Sequence, residues 1–136
     1  MSSAVRLGSF VLDKPIGAGG MGTIWSAVHT PTGARAALKC IRPDRLVGPS
    51  AAERFRREVR AVAGLRHPSI IEVYDYGTVD EAAERASGGA LAAGGPYLAM
   101  ELAPFGDARQ LVGWLDWRSL RALLLQVLDA LAHAHA

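Results

Sequence analysis

The sequence predicts an α+β chain: a five-stranded antiparallel sheet carrying one helix, then a short helix and a long one. Three observations lead there. Residues 10–41 hold three short β-like runs separated by glycine or proline, with no competing helical period. A single amphipathic stretch, 51–65, interrupts the strand-like segments. Apolar residues then recur at helical spacing through 117–135.

The first three strands fall at residues 10–14, 23–29 and 34–41. Between the last two, Thr30-Pro31-Thr32-Gly33 is a turn signal, because proline presets one backbone angle and glycine permits positive φ, so these strands form a hairpin. Ser50 followed by Glu53 is a capping-box pattern, and Phe55, Val59 and Val62 then follow at helical spacing until Gly64. Residues 70–76 and 97–102 supply the fourth and fifth strands. The alanine- and glycine-rich residues 78–96 between them are read as a flexible surface insertion, whose alanines alternatively form a transient helix. In the last helix Leu120, Leu123, Leu124, Val127, Leu128 and Leu131 form one apolar face, widened by Ala122, Leu125 and Ala130.

Composition narrows the function classes. With 136 residues, half of them apolar, the chain is long enough for a packed core. Its net charge is only +2, and basic residues mix with acidic ones, as in Glu53, Arg54, Arg56, Arg57 and Glu58. That is a solvated helix face and no nucleic-acid stripe, so no nucleic-acid partner is expected. Cys40 is the sole cysteine, which excludes an intrachain disulfide and a thiolate metal site and fits a reducing compartment. The N-terminus lacks the order of a secretory signal, and no stretch approaches the roughly eighteen uninterrupted apolar residues of a membrane span. A cytoplasmic protein is expected, with no membrane association within these residues.

Gly17-Ala18-Gly19-Gly20-Met21-Gly22 has the glycine spacing that lets a backbone approach phosphates where a Cβ would obstruct it. Taken alone it is weak evidence, readable also as a hairpin turn without a ligand. A dinucleotide fold needs the last glycine to open a helix, but Gly22 is followed by the strand-like Thr23-Ile24-Trp25-Ser26-Ala27-Val28. A Walker loop needs lysine and a hydroxyl residue directly after the last glycine, where Thr23 and Ile24 stand. The four histidines show no ligand spacing. His133 and His135 point to different sides of a helix, and no metal site is expected.

The wider constellation is more specific. Ile24 lies two residues past the last glycine, and Ala36-Ala37-Leu38-Lys39 lies on the partner strand after a short hairpin. Together with Glu58, Leu65-Arg66-His67-Pro68-Ser69-Ile70 and Tyr97-Leu98-Ala99-Met100-Glu101-Leu102, these residues make the chain resemble bacterial eukaryotic-like (Hanks-type) serine/threonine protein kinases from about Phe10 onward. The resemblance divides the chain into a leader (1–9), an ATP-binding small lobe with its hinge (10–103), and the start of a large lobe (104–136).

The same resemblance implies roles. Amides of Gly17, Ala18, Gly19, Gly20, Met21, Gly22 and Thr23 would cover the ATP phosphates, and Ile16, Ile24 and Ala37 would roof the adenine. Lys39 would pair with the α and β phosphates and with Glu58 on the helix. The plain alternatives are an exposed strand lysine and, for Glu58, a surface pair with Arg54 or Arg57. Met100 would stand behind the adenine, and the backbones of Glu101 and Ala103 would bind its edge. Asp107 either reaches the ribose or caps the short helix that begins there. The family's catalytic loop and metal-binding aspartate would follow Ala136, so no catalytic residue is assigned here, and Mg²⁺ is expected only in a complete kinase domain. Protein substrates likewise belong to the complete domain. The alternatives are a noncatalytic kinase-like module that binds a second lobe or another kinase through 117–135, and a truncated gene fragment.

Overall fold

A computed structural model describes residues 3–20, 22–46, 48, 50–104 and 106–136. Its sheet is antiparallel and ordered β1-β2-β3-β4-β6-β5, formed by Arg6–Leu7 (β1), Phe10–Ala18 (β2), Gly22–His29 (β3), Arg35–Ile41 (β4), Val73–Thr78 (β5) and Pro96–Met100 (β6). Six strands thus replace the five expected. The additional one falls in the stretch read as a leader: Leu7 pairs with Phe10 and is only 2% exposed. A two-residue strand has no periodicity to detect, and it forms because Gly8, at φ +57°, reverses the chain tightly.

Cross-strand register sorts the side chains. Trp25, Leu38 and Ala99 lie in one row, and Thr23, Cys40 and Tyr97 in a parallel row two residues along. Since strand side chains alternate between faces, these rows share one face. It holds the core: Leu7, Phe10, Leu12, Ala27, Ala36, Leu38, Cys40, Tyr97 and Ala99 form a single buried cluster with Val79, Ala83 and Leu91. Burial pushes the Cys40 thiol up to about 12, so it packs as a hydrophobe and stays protonated. Tyr97 explains a glycine opposite it, because a Cβ on Gly77 would come within 2.9 Å of the Tyr97 ring.

Residues 78–96 depart from the expected flexible surface insertion. Helix α2 (Glu81–Ala86) begins at Asp80, whose carboxylate accepts the Ala83 N–H at 2.7 Å. The Glu84 carboxylate accepts the Ala93 N–H at 2.7 Å, and Val79 bonds with Gly94 and Gly95 at 2.9 and 2.8 Å, closing the excursion at its base. Val79, Ala83 and Leu91 cover the core face. Small residues, read as a sign of a loose loop, are what allow this helix to lie close to the sheet.

Helix α1 (Ala51–Ala63) forms where its pattern predicts, but the capping box does not: the Ser50 side chain makes no cap hydrogen bond. Backbone bonds open the helix instead, from Ala51 N–H to the Gly48 carbonyl at 3.3 Å and from Arg54 N–H to the Ser50 carbonyl at 2.9 Å. The turn after β3 is as expected, with Gly33 at φ +72° and its N–H on the His29 carbonyl at 2.7 Å. Strand β5 starts at Val73, later than predicted, because a turn closed by Ile70 N–H on the His67 carbonyl (3.1 Å) precedes it. A 3-10 turn, Ala108–Leu111, leads to helix α3 (Trp117–Ala134), which Asp116 caps through the Ser119 N–H at 2.7 Å.

If the excursion is part of the core, Leu91→Ala should lower stability by about 2–5 kcal/mol. Urea denaturation of the chain measures this, and a change of only a few tenths would mean that the segment contributes little to the core.

Candidate functional site

The glycine motif is the tip of the β2–β3 hairpin. Gly17 pairs with Ile24 and Ala18 with Thr23, and the Gly19 N–H closes the tip on the Gly22 carbonyl at 3.0 Å. Its glycines differ in what requires them. A Cβ on Gly22 would run into the Cys40 carbonyl of β4, so the sheet itself demands glycine there. Around Gly19 and Gly20 no atom lies within 4 Å of such a Cβ, and Gly17 meets only the Ile24 side chain at 3.9 Å. No contact among the described residues calls for glycine at 19 or 20. Met21, predicted as a loop contact, lies outside the described residues.

The second face of the sheet gathers most of the predicted site. Ile24, Lys39, Leu98 and Tyr76 share one row, and Ser26, Ala37, Met100 and Val73 the next, all opposite the core. Ile24, Lys39 and Met100 are half-buried, Ala37 is buried, and Ile16 beside the loop is 46% exposed. At the end of β6 the Glu101 N–H is taken by the Glu72 carbonyl at 2.8 Å, while the Glu101 carboxylate accepts the Glu72 N–H at 3.2 Å. Among the described residues the Glu101 carbonyl and the Ala103 N–H carry no hydrogen bond. One acceptor and one donor, two residues apart, therefore stand at the edge of this face.

One predicted pair is not formed. Glu58 is exposed, and none of the ion pairs among the described residues joins it to Lys39. The cause is the shallow seat of α1, which buries only Ala51 and Val59 and leaves Val62 43% exposed. Arg60 ties α1 to the sheet: its Nε donates to the Tyr76 hydroxyl at 3.1 Å, in the row that contains Lys39. Sequence reasoning missed this contact because no local pattern links positions 16 apart.

Asp107 takes the capping alternative. Its carboxylate accepts the Arg109 N–H at 2.8 Å and the Arg109 guanidinium at 2.7 and 3.0 Å. These bonds, above all those from the guanidinium, hold the Asp107 carboxyl below the usual carboxylate range. Among the described residues no three His, Cys, Asp or Glu side chains converge as a metal site would require. Nor is any helix among them long and apolar enough to cross a membrane.

A family model described as protein kinase domain matches residues 10–136. The serine/threonine-protein kinase PknA of Mycobacterium tuberculosis is 36% identical over 132 residues, covering 95% of this chain and 29% of PknA. The serine/threonine-protein kinase Pkn1 of Myxococcus xanthus is 35% identical over 136 residues, covering 97% of this chain and 17% of Pkn1. The crystal structure of the Mycobacterium tuberculosis PknI kinase domain superposes with a TM-score of 0.77 at 26% identity, over 99% of this chain and 51% of that one. The chain thus spans less than a third of those two relatives and about half of that solved domain.

The two kinds of glycine are separable by stability alone. Gly22→Ala should destabilise the chain by about 1–3 kcal/mol through overpacking against β4, whereas Gly20→Ala should stay within about 0.5 kcal/mol. Thermal unfolding followed by circular dichroism tests both, and equal losses would contradict the distinction.

Proposed function

This chain belongs to the protein kinase domain family, and we propose that it is the ATP-binding small lobe, hinge and first large-lobe helices of a serine/threonine protein kinase. The reading rests on one observation: Lys39 shares a sheet face with Ile24, Ala37 and Met100, beneath a hairpin tip whose Gly19 and Gly20 leave open space. ATP, when bound, supplies the γ-phosphate that a complete domain passes to a serine or threonine hydroxyl. The chain's own residues do the holding. Amides of residues 17–20, 22 and 23 would lie along the phosphates, with Ile16, Ile24 and Ala37 over the adenine and Met100 behind it. The Glu101 carbonyl and Ala103 N–H match a base edge that presents one donor and one acceptor. Lys39 carries the cation for the α and β phosphates.

Two roles require movement from the observed arrangement. Glu58 meets Lys39 only if α1 turns toward the sheet, and Asp107 reaches a ribose only by giving up Arg109. The carboxylates that would hold Mg²⁺ are not among those on this face, so metal binding falls to the rest of a complete domain. A single unpaired cysteine and dependence on ATP fit a cytoplasmic setting.

A second reading is favoured by α3. Among its residues only Ala130 is buried, while Leu124, Leu125, Val127, Leu128 and Leu131 are each 45–60% exposed. Such a face calls for a cover, either the remainder of a kinase domain or a separate lobe that this chain would join as a noncatalytic module.

In a complete domain, Lys39→Ala should weaken nucleotide binding about ten- to a hundredfold, the worth of a charge-assisted contact. Calorimetric titration with a nonhydrolysable ATP analogue measures it, and unchanged affinity would remove Lys39 from the site. The 136-residue chain alone is expected to bind Mg-ATP weakly or not at all and to transfer no phosphate. Tight binding in the same titration would show that the small lobe needs no floor.

A further inference from the structure

Strand β2 carries two extra residues against β3, and a buried hydroxyl sits opposite the first of them. Leu12 pairs with Ala27, but the next pairs are Pro15 with Trp25 and Gly17 with Ile24. Asp13 and Lys14 therefore share the place opposite Ser26, and Ile16 and Gly17 share the place opposite Ile24, as in two β-bulges. Pro15 between them has no N–H to give to a ladder, and bulges are among the few places where a sheet accepts proline.

The bulges decide which face Ile16 joins. If the register of Leu12 and Ala27 ran on unbroken, Lys14 would oppose Trp25, Pro15 would oppose Ile24, and Ile16 would oppose Thr23. Thr23 shares its row with Cys40 and Tyr97, so Ile16 would then lie on the core face. The observed register instead puts it with Ile24, on the face of Lys39, where it is 46% exposed.

Ser26 is the only polar residue buried among the described ones, at 2% exposed. Its Oγ donates to the Asp13 carboxylate and to the Lys14 carbonyl, both at 3.3 Å. A hydroxyl has one proton, so the two acceptors share it, and both distances are long for that reason. From the other side Arg35 holds the same Asp13 oxygen at 3.3 Å. Both acceptors belong to the two residues of the first bulge, and an alkyl side chain at position 26 would leave them without this donor.

We infer that Ser26 is a positioning residue: its hydroxyl holds the bulge at Asp13 and Lys14 and so turns Ile16 away from the core, to the face that carries Lys39. The bulge needs no ligand. Only the use of Ile16 as a cover for adenine rests on the function proposed above.

The test uses this chain without nucleotide, so a failure of the ATP reading leaves it untouched. Cross-strand NOEs in NMR spectra report which residue opposes Trp25. The unaltered chain should show Pro15 there and Gly17 opposite Ile24. In Ser26→Ala, which adds no bulk, and in Ser26→Val those NOEs should be lost, with Lys14 taking the place opposite Trp25. Ser26→Thr has the shape of the valine variant and keeps the hydroxyl, so it should retain the Pro15 pairing. Pro15 still opposite Trp25 in Ser26→Ala would mean that proline alone sets the bulge. A register lost equally in Ser26→Thr would mean that side-chain bulk sets it, and either result overturns the assignment.

Discussion

Strand β4 sits between β3 and β6, and its alternation is the constraint from which the rest of the lobe follows. Leu38 and Cys40 point to one side, where they are 0% and 4% exposed, and Ala37 and Lys39 to the other. A slip of one residue against either neighbour would put Lys39 into the core and Leu38 onto the opposite face. Register here is both a stability requirement and the means by which a cation is aimed. Gly22 belongs to the same constraint, since it lets β3 approach the Cys40 carbonyl closely enough to hold that register.

The two faces divide the labour. The core face is closed within the chain by β1 on one flank and by residues 79–95 on the other, so its burial needs no ligand and no second lobe. On the other face an exposed Ile16, a Lys39 that joins no ion pair among the described residues and an open hairpin tip remain unsatisfied. Loops that bind ligands are drawn from the less stable parts of a fold, and a scaffold stabilised elsewhere can carry such a face.

How much of this could be read from sequence depended on the range of the interaction. The loop, the hairpin and α3 were legible because each has a local signature: glycine spacing, a Pro and Gly turn, a helical period. The place of Lys39 on β4 was legible through the strand pattern around it. The capping box at Ser50 matched its pattern and still failed, because Ser50 sits at φ −103°, ψ 9°, outside the extended region from which a cap side chain reaches the N–H groups of the first turn. Residues 78–96 were misread because alanine and glycine suit both a loose loop and a helix packed close to a sheet. The contact of His67 Nε2 with Asp129 Oδ2 at 2.8 Å joins positions 62 apart, and a pairing of that range leaves no local trace.

The position of α1 follows from the same division. A helix that buries only Ala51 and Val59 is held by few apolar contacts, and the Arg60 to Tyr76 bond fastens its second half to the row containing Lys39. Glu58 lies two residues before that tether, on an exposed part of the helix. Bringing its carboxylate to Lys39 would take two charges partly out of water, which becomes favourable only when they meet in good geometry and their remaining bonds are satisfied. A phosphate group beside Lys39 and a second lobe beneath the face would add those partners. That Glu58 joins no ion pair among the described residues is thus what a lobe stabilised by its core face alone should show, and under the proposed function its pairing with Lys39 waits until the opposite face is covered.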